Sequence, residues 1–119
     1  MKIAITATGT DIDSQVDPRF GRAQHILIVD EDGKILEAVD NSQNLNAMRG
    51  AGIQAAKILA DRKVDVLMTG NCGPNAFTTL KAAGIKVCSE QSGTVKEALD
   101  RLIRNEVVFA EQPNVEAHW

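Results

Sequence analysis

Val64-Asp65-Val66-Leu67-Met68-Thr69-Gly70-Asn71-Cys72-Gly73-Pro74-Asn75 decides the fold. An apolar run of strand length passes straight into a Gly-rich turn. The turn opens an amphipathic helix in which Ala76, Phe77 and Leu80 share one face. Pro74 suits the first helical position, where its missing N–H has no intrahelical partner to lose. Strand, turn and helix in this order are the unit of a parallel α/β sheet. The two glycines let the backbone bend sharply and come close to a bound group. Unpaired N–H groups at the positive end of a helix make an anion site the default functional reading of such a turn, and a helix N-terminus there would favour the Cys72 thiolate. Taken alone, the turn reads first as a plain strand-to-helix turn around a buried cysteine, and the other loops that reach the same edge bring the anion site forward.

Outward from this unit the chain alternates. Lys2–Thr8 predicts a central strand, and Gly9–Gln24 a long loop with a turn at Asp17-Pro18. His25–Asp30 predicts a buried strand, Glu31-Asp32-Gly33 a tight turn and Lys34–Asp40 the returning strand. Asn41–Arg49 is a polar loop. Gly50–Asp61 predicts a helix with Ala51, Ala55, Ile58 and Leu59 on one face. After the quoted unit, Gly84 closes the helix and Ile85–Cys88 is the last strand. Thr94-Val95-Lys96-Glu97 is a capping box for a helix to about Arg104, with Leu99, Leu102 and Ile103 as its apolar side. The expected fold is α/β: a mixed five-stranded sheet with only the second strand reversed, flanked by helices. One domain spans 1–108, and 109–119 is a tail.

Composition narrows the function. The 119 residues suffice for one core, not two. A net charge of −3 and a pI near 5.3 argue against a nucleic-acid footprint. With 3% aromatics and no Tyr, base-stacking platforms are missing too. No apolar run is long enough to span a bilayer, and the N-terminus enters a strand without a signal-peptide layout, so a cytoplasmic protein is expected. Cys72 and Cys88 form neither a CxxC nor a disulfide framework, which agrees with a reducing compartment.

Ligands of open α/β sheets bind beyond the carboxyl ends of the parallel strands. That edge collects Thr8–Asp13, Asn41–Arg49, Thr69–Pro74 and Ser89–Thr94. The reversed strand brings Arg19, Arg22 and His25 to the same place. Helix N-termini near Gly50, Pro74 and Thr94 all point there, which makes an anion pocket on an acidic molecule. His25 reads equally as scaffold or as ligand, and Met48 as a hydrophobic latch or a thioether donor. Gly50-Ala51-Gly52-Ile53-Gln54-Ala55 matches GxGxxA, but no strand runs directly into it, so close helix packing explains it better. Asp11, Asp13 and Asp17 lack the EF-hand spacing and read as a solvated acidic loop. No nucleophile–base–orienter set is evident, so enzyme function has no positive support.

The opening Met1-Lys2-Ile3-Ala4-Ile5-Thr6-Ala7, Val16-Asp17-Pro18-Arg19-Phe20-Gly21-Arg22-Ala23, Gly50-Ala51-Gly52, Gly70-Asn71-Cys72-Gly73-Pro74-Asn75-Ala76 and Ser92-Gly93-Thr94-Val95 together resemble the dinitrogenase iron–molybdenum cofactor biosynthesis family, over residues 1–108. The resemblance is strongest to its small stand-alone members. It implies a ribonuclease-H-like fold and a non-catalytic protein that binds an anionic metal–sulfur cluster containing molybdenum. Either a molybdenum–copper sulfide or an iron–molybdenum cofactor type fits. It implies Arg19, Arg22 and His25 as cationic or donor groups, and Gly70, Asn71, Cys72, Gly73 and Pro74 as a backbone cradle beside Thr8. Ser92, Gly93 and Thr94 would form a second cradle. The lid would be 41–52, with Asn44, Met48, Gly50 and Gly52. Cys72 is the single candidate metal ligand, though the resemblance implies proximity ahead of ligation. A His-rich tail known in some relatives is reduced to His118. Expected partners are cluster donor and acceptor proteins, ATPases among them, with no nucleic acid, no membrane and a monomeric chain. The alternatives are an enzyme or sensor for a phosphorylated small molecule at the same edge, and a protein-interaction module.

Overall fold

Every residue of β1 (Ile3–Ala7) is buried. A strand covered on both faces must be apolar throughout, and Ile-Ala-Ile-Thr-Ala satisfies that with one hydroxyl to place. The computed structural model describes residues 1–42 and 50–115. It puts β1 at the centre of a five-stranded sheet, between β2 (His25–Val29) and β4 (Val66–Met68). β3 (Ile35–Asp40) lies outside β2, and β5 (Lys86–Cys88) outside β4. β1, β4 and β5 run parallel. β2 is antiparallel to both of its neighbours, so β3 runs with β1, as expected.

The period of two divides the sheet's side chains between two cores. Ala4, Ile26, Ile28, Leu67 and Val87 face α1 (Ala51–Asp61) and α2 (Pro74–Ala82), which contribute Ala55, Ala56, Leu59, Phe77 and Leu80. Ile3, Ile5, Leu27, Val29, Val66, Met68 and Cys88 face α3 (Val95–Ile103), which contributes Val95, Ala98, Leu99 and Leu102. Ile103 is a correction: it is 47% exposed. Its position lies at the margin of the stripe that Val95, Ala98, Leu99 and Leu102 define. In α1, Ala56 is buried and Ile58 only partly so. Gly84 adopts a left-handed φ of +77°, one residue past the Ala83 cap.

Residues 109–115 return to the domain. The Ala110 N–H donates to the Val87 carbonyl at 2.7 Å, and Lys86 Nζ lies 5.0 Å from the centre of the Phe109 ring. No helix among the described residues is long and apolar enough to cross a membrane.

Candidate functional site

The loop after β1 organises the carboxyl edge of the sheet, and its two halves do different things. Residues 12–16 lie against α3. Val16 and Ala7 form an antiparallel bridge, as do Gln15 and Thr94. Residues 17–24 lie against the turn after β4: Asn71 N–H donates to the Pro18 carbonyl at 2.7 Å, and Phe20 N–H to the Asn71 carbonyl at 3.2 Å. A buried hydroxyl pair joins the halves. Thr6 Oγ1 donates to the Asp17 carbonyl at 2.7 Å and lies 2.9 Å from Thr69 Oγ1.

Asp17 corrects the reading of a solvated acidic loop. It is buried, and its carboxylate accepts from the N–H groups of Arg19 and Gln24. Asp11 and Asp13 are exposed, as expected. Asn41, fully buried, does similar work from the end of β3. Its Nδ2 donates to the carbonyls of Gly21 and Ala23 at 3.1 and 2.9 Å.

This bracing permits very close backbone approach. A Cβ on Gly70 would stand 2.7 Å from both Cα and O of Pro18. One on Gly21 would stand 2.5 Å from the Gly52 nitrogen, and one on Gly52 would stand 2.9 Å from Ala76 Cβ. Gly52 therefore brings the N-terminus of α1 against the N-terminus of α2, with Gly21 filling the joint. Of the GxGxxA match, Gly52 packs helix against helix and loop, whereas Ala55 lies in the core that faces the sheet.

The three helix N-termini are not equivalent. In α3 the first N–H groups are already used. Thr94 N–H donates to Glu97 Oε1, Val95 N–H to the Ser14 carbonyl, Lys96 N–H to the Ile12 carbonyl and Glu97 N–H to Thr94 Oγ1. The second cradle expected at Ser92, Gly93 and Thr94 therefore has no helical donor left for an anion. In α1 and α2 the N–H groups of Ala51, Gly52, Ile53, Asn75 and Ala76, with that of Gly73, have no hydrogen-bond partner among the described residues. Neither helix has a side-chain N-cap or an acidic residue in its first turn. Two positive helix ends thus meet at Gly52 and Ala76, each with first-turn N–H groups that no described residue accepts from.

Cys72 does not sit among those donors as a thiolate. Its side chain is 1% exposed and belongs to the core with Phe20, Ala76 and Phe77. Burial pushes its pKa up to about 12, and that of Cys88 to about 11. The buried-cysteine reading of the turn holds, because the helix end acts on the Cys72 backbone while desolvation acts on its sulfur. Thr8 is exposed and turned to the α3 side, where its N–H donates to the Gln15 carbonyl. Arg19 is exposed, and Arg22 and His25 are half-buried. His25 stands in register with Ala7 and Asp40, at the carboxyl edge. Hydrogen bonds from Ser42 hold the Asp40 carboxyl below its usual range, with a smaller contribution from His25. Asn44, Met48 and His118 lie outside the described residues.

One residue at this edge has no signal in the sequence. Asn114, from the stretch expected as a tail, accepts from the Cys72 N–H through Oδ1 at 2.8 Å and donates through Nδ2 to Gly70 O and Asn71 Oδ1, both at 3.2 Å. Its own N–H donates to the Cys72 carbonyl at 3.2 Å. The family description matching this sequence is dinitrogenase iron-molybdenum cofactor, over residues 1–105. Among solved structures, the apo form of the orange protein from Desulfovibrio gigas superimposes with a TM-score of 0.91 at 44% identity, covering 96% of each chain. A Thermotoga protein of the DUF35 family, described as a putative NifB protein, gives 0.77 at 38% identity, over 91% of each chain. An uncharacterized protein of Methanocaldococcus jannaschii, MJ0580, is 29% identical over 103 residues, covering 83% of this chain and 86% of its own.

Proposed function

This chain belongs to the dinitrogenase iron-molybdenum cofactor family, and on that premise we propose that it is a non-catalytic carrier of an anionic, molybdenum-containing metal–sulfur cluster. The observation that carries the reading is the meeting of the α1 and α2 N-termini, with their unsatisfied N–H groups, at Gly52 and Ala76. Bridging and terminal sulfides accept N–H hydrogen bonds, and a multiply charged anion gains from two positive dipole ends at once. Among the described residues no group of three or more His, Cys, Asp and Glu side chains could hold a metal ion. The donor set therefore suits a preformed anion better than a bare cation. Gly50, Gly52, Gly70, Asn71, Gly73 and Pro74 form the cradle, with Arg19, Arg22 and His25 as the cationic rim and Asn44 and Met48 as part of the lid.

The cargo is a molybdenum–copper sulfide or an iron–molybdenum type cluster. The likeness to the orange protein, which has been solved as an apo form, supports a removable group. The strand order 3-2-1-4-5, with the second strand reversed, supports the ribonuclease-H-like label. We further take the protein to be a cytoplasmic monomer that exchanges its cluster with donor and acceptor proteins, ATPases among them.

The test is an anaerobic titration of the purified protein with tetrathiomolybdate, with and without copper(I), followed by visible absorbance and gel filtration. Saturable bands that co-elute with the protein are expected, with weaker binding in Arg22→Ala. Copper dependence would select the molybdenum–copper sulfide. No co-eluting chromophore with any metal, together with thermal protection by nucleotides or sugar phosphates, would overturn the reading in favour of a phosphate ligand.

A further inference from the structure

Residues 108–115 are not a free tail, and their contacts concentrate at one turn. Ala110 is fixed to β5, and four residues later Asn114 makes four hydrogen bonds to Gly70, Asn71 and Cys72. The Cys72 peptide has no helical or strand partner for its N–H or its C=O, because it lies between β4 and α2. Asn114 satisfies both. The family match ends at residue 105, before this segment begins.

Resting on the carrier reading above, we propose that Asn114 is a positioning residue for the cluster cradle. It fixes the Gly70–Cys72 turn so that the next N–H groups, those of Gly73, Asn75 and Ala76, point outward together. The functional unit of this protein therefore extends to at least residue 114.

The bonding pattern separates this role from the opposite one, a plug that cargo expels. A plug would occupy donors that an anion could take over. Asn114 occupies one donor, the Cys72 N–H, and three acceptors: Gly70 O, Asn71 Oδ1 and Cys72 O. An anion could replace only the first of these bonds. Expelling Asn114 would leave the Cys72 carbonyl without its donor, whereas Gly70 O keeps the Glu90 N–H at 2.6 Å. The N–H groups of Gly73, Asn75 and Ala76 make no hydrogen bond to Asn114, so expelling it would free none of them.

Asn114→Ala and Asn114→Asp, made in the full chain, test the assignment. Asn114 is exposed, so both variants fold. Two readouts are taken: the tetrathiomolybdate affinity, and the amide exchange rate of Cys72 without ligand. Loosening the turn should weaken binding in Asn114→Ala about tenfold, the equivalent of about 1.4 kcal/mol, and speed Cys72 exchange. Asn114→Asp should bind more weakly still. It keeps the acceptor for Cys72 but cannot donate to Gly70 or Asn71, and it sets a negative charge beside the cradle. Equal or tighter binding by Asn114→Ala overturns the proposal, since tighter binding would identify a plug. Unchanged Cys72 exchange overturns it independently of any ligand. Failure of the unmodified protein to bind tetrathiomolybdate would instead overturn the carrier reading, and the role of Asn114 in binding with it.

Discussion

Cys72 shows how two effects on one residue are decided by where its atoms lie. Its backbone is at the mouth of a helix, where partial positive charge favours anions, and its sulfur is packed among Phe20, Ala76 and Phe77. With a pKa pushed up to about 12, the thiol is protonated at neutral pH. Two outcomes follow. Native protein should resist alkylation at pH 8 and react fully once unfolded, measured by mass spectrometry. Cys72→Ala should cost about 1 kcal/mol of stability and leave tetrathiomolybdate affinity unchanged. Lost binding in a folded Cys72→Ala protein would make the sulfur a ligand. Asp17 and Asn41 carry a similar lesson. Each is polar and was expected in a loop, yet each is buried because its side chain supplies hydrogen bonds that turn backbone lacks.

Among the elements, α3 was the easiest to read. Its capping box forms as written, with Thr94 Oγ1 accepting from Glu97 N–H and Glu97 Oε1 accepting from Thr94 N–H. Thr94→Ala should destabilise the fold by about 1 kcal/mol, lowering Tm by about 4 °C in a calorimetric scan. The Thr94 N–H holds the Glu97 carboxyl below its ordinary value. A depressed carboxylate pKa adds stability that is complete above the unfolded value, about 4.3, and is lost as pH falls through the folded value. The advantage of wild type over Glu97→Ala should therefore hold at pH 7 and shrink in acid, read from urea midpoints between pH 3 and 7. The same box, with the carbonyls of Ile12 and Ser14, leaves the first N–H groups of α3 already hydrogen-bonded. A sequence displays the cap but not the loop that covers it.

At the scale of the whole molecule, one sheet divides two cores that share no side chains. Ala56 on α1 and Ala98 on α3, both fully buried, belong to opposite cores. Ala56→Gly and Ala98→Gly should each cost about 1–2 kcal/mol. The double variant should match the sum within about 0.5 kcal/mol by urea denaturation. A larger departure would mean that strain crosses the sheet. The fold itself was legible because it rests on local rules. The apolar runs specified the strands, the periods of two and 3.6 separated strand from helix, and Glu31-Asp32-Gly33 specified the hairpin that reverses β2. Those rules also placed the carboxyl edge, because parallel strands must send their turns to one side. Tertiary structure alone decided which turns at that edge stay open. Gly21, Gly52 and Ala76 meet only once the loop and both helices have docked. Ile12 and Ser14 close α3 from some eighty residues away in the chain. Asn114 reaches Cys72 from 42 positions on. Hydrogen bonds between distant peptide groups leave no periodicity in a sequence, so the edge and its Gly70–Pro74 turn could be read from it, whereas the closing of α3 and the reach of Asn114 could not.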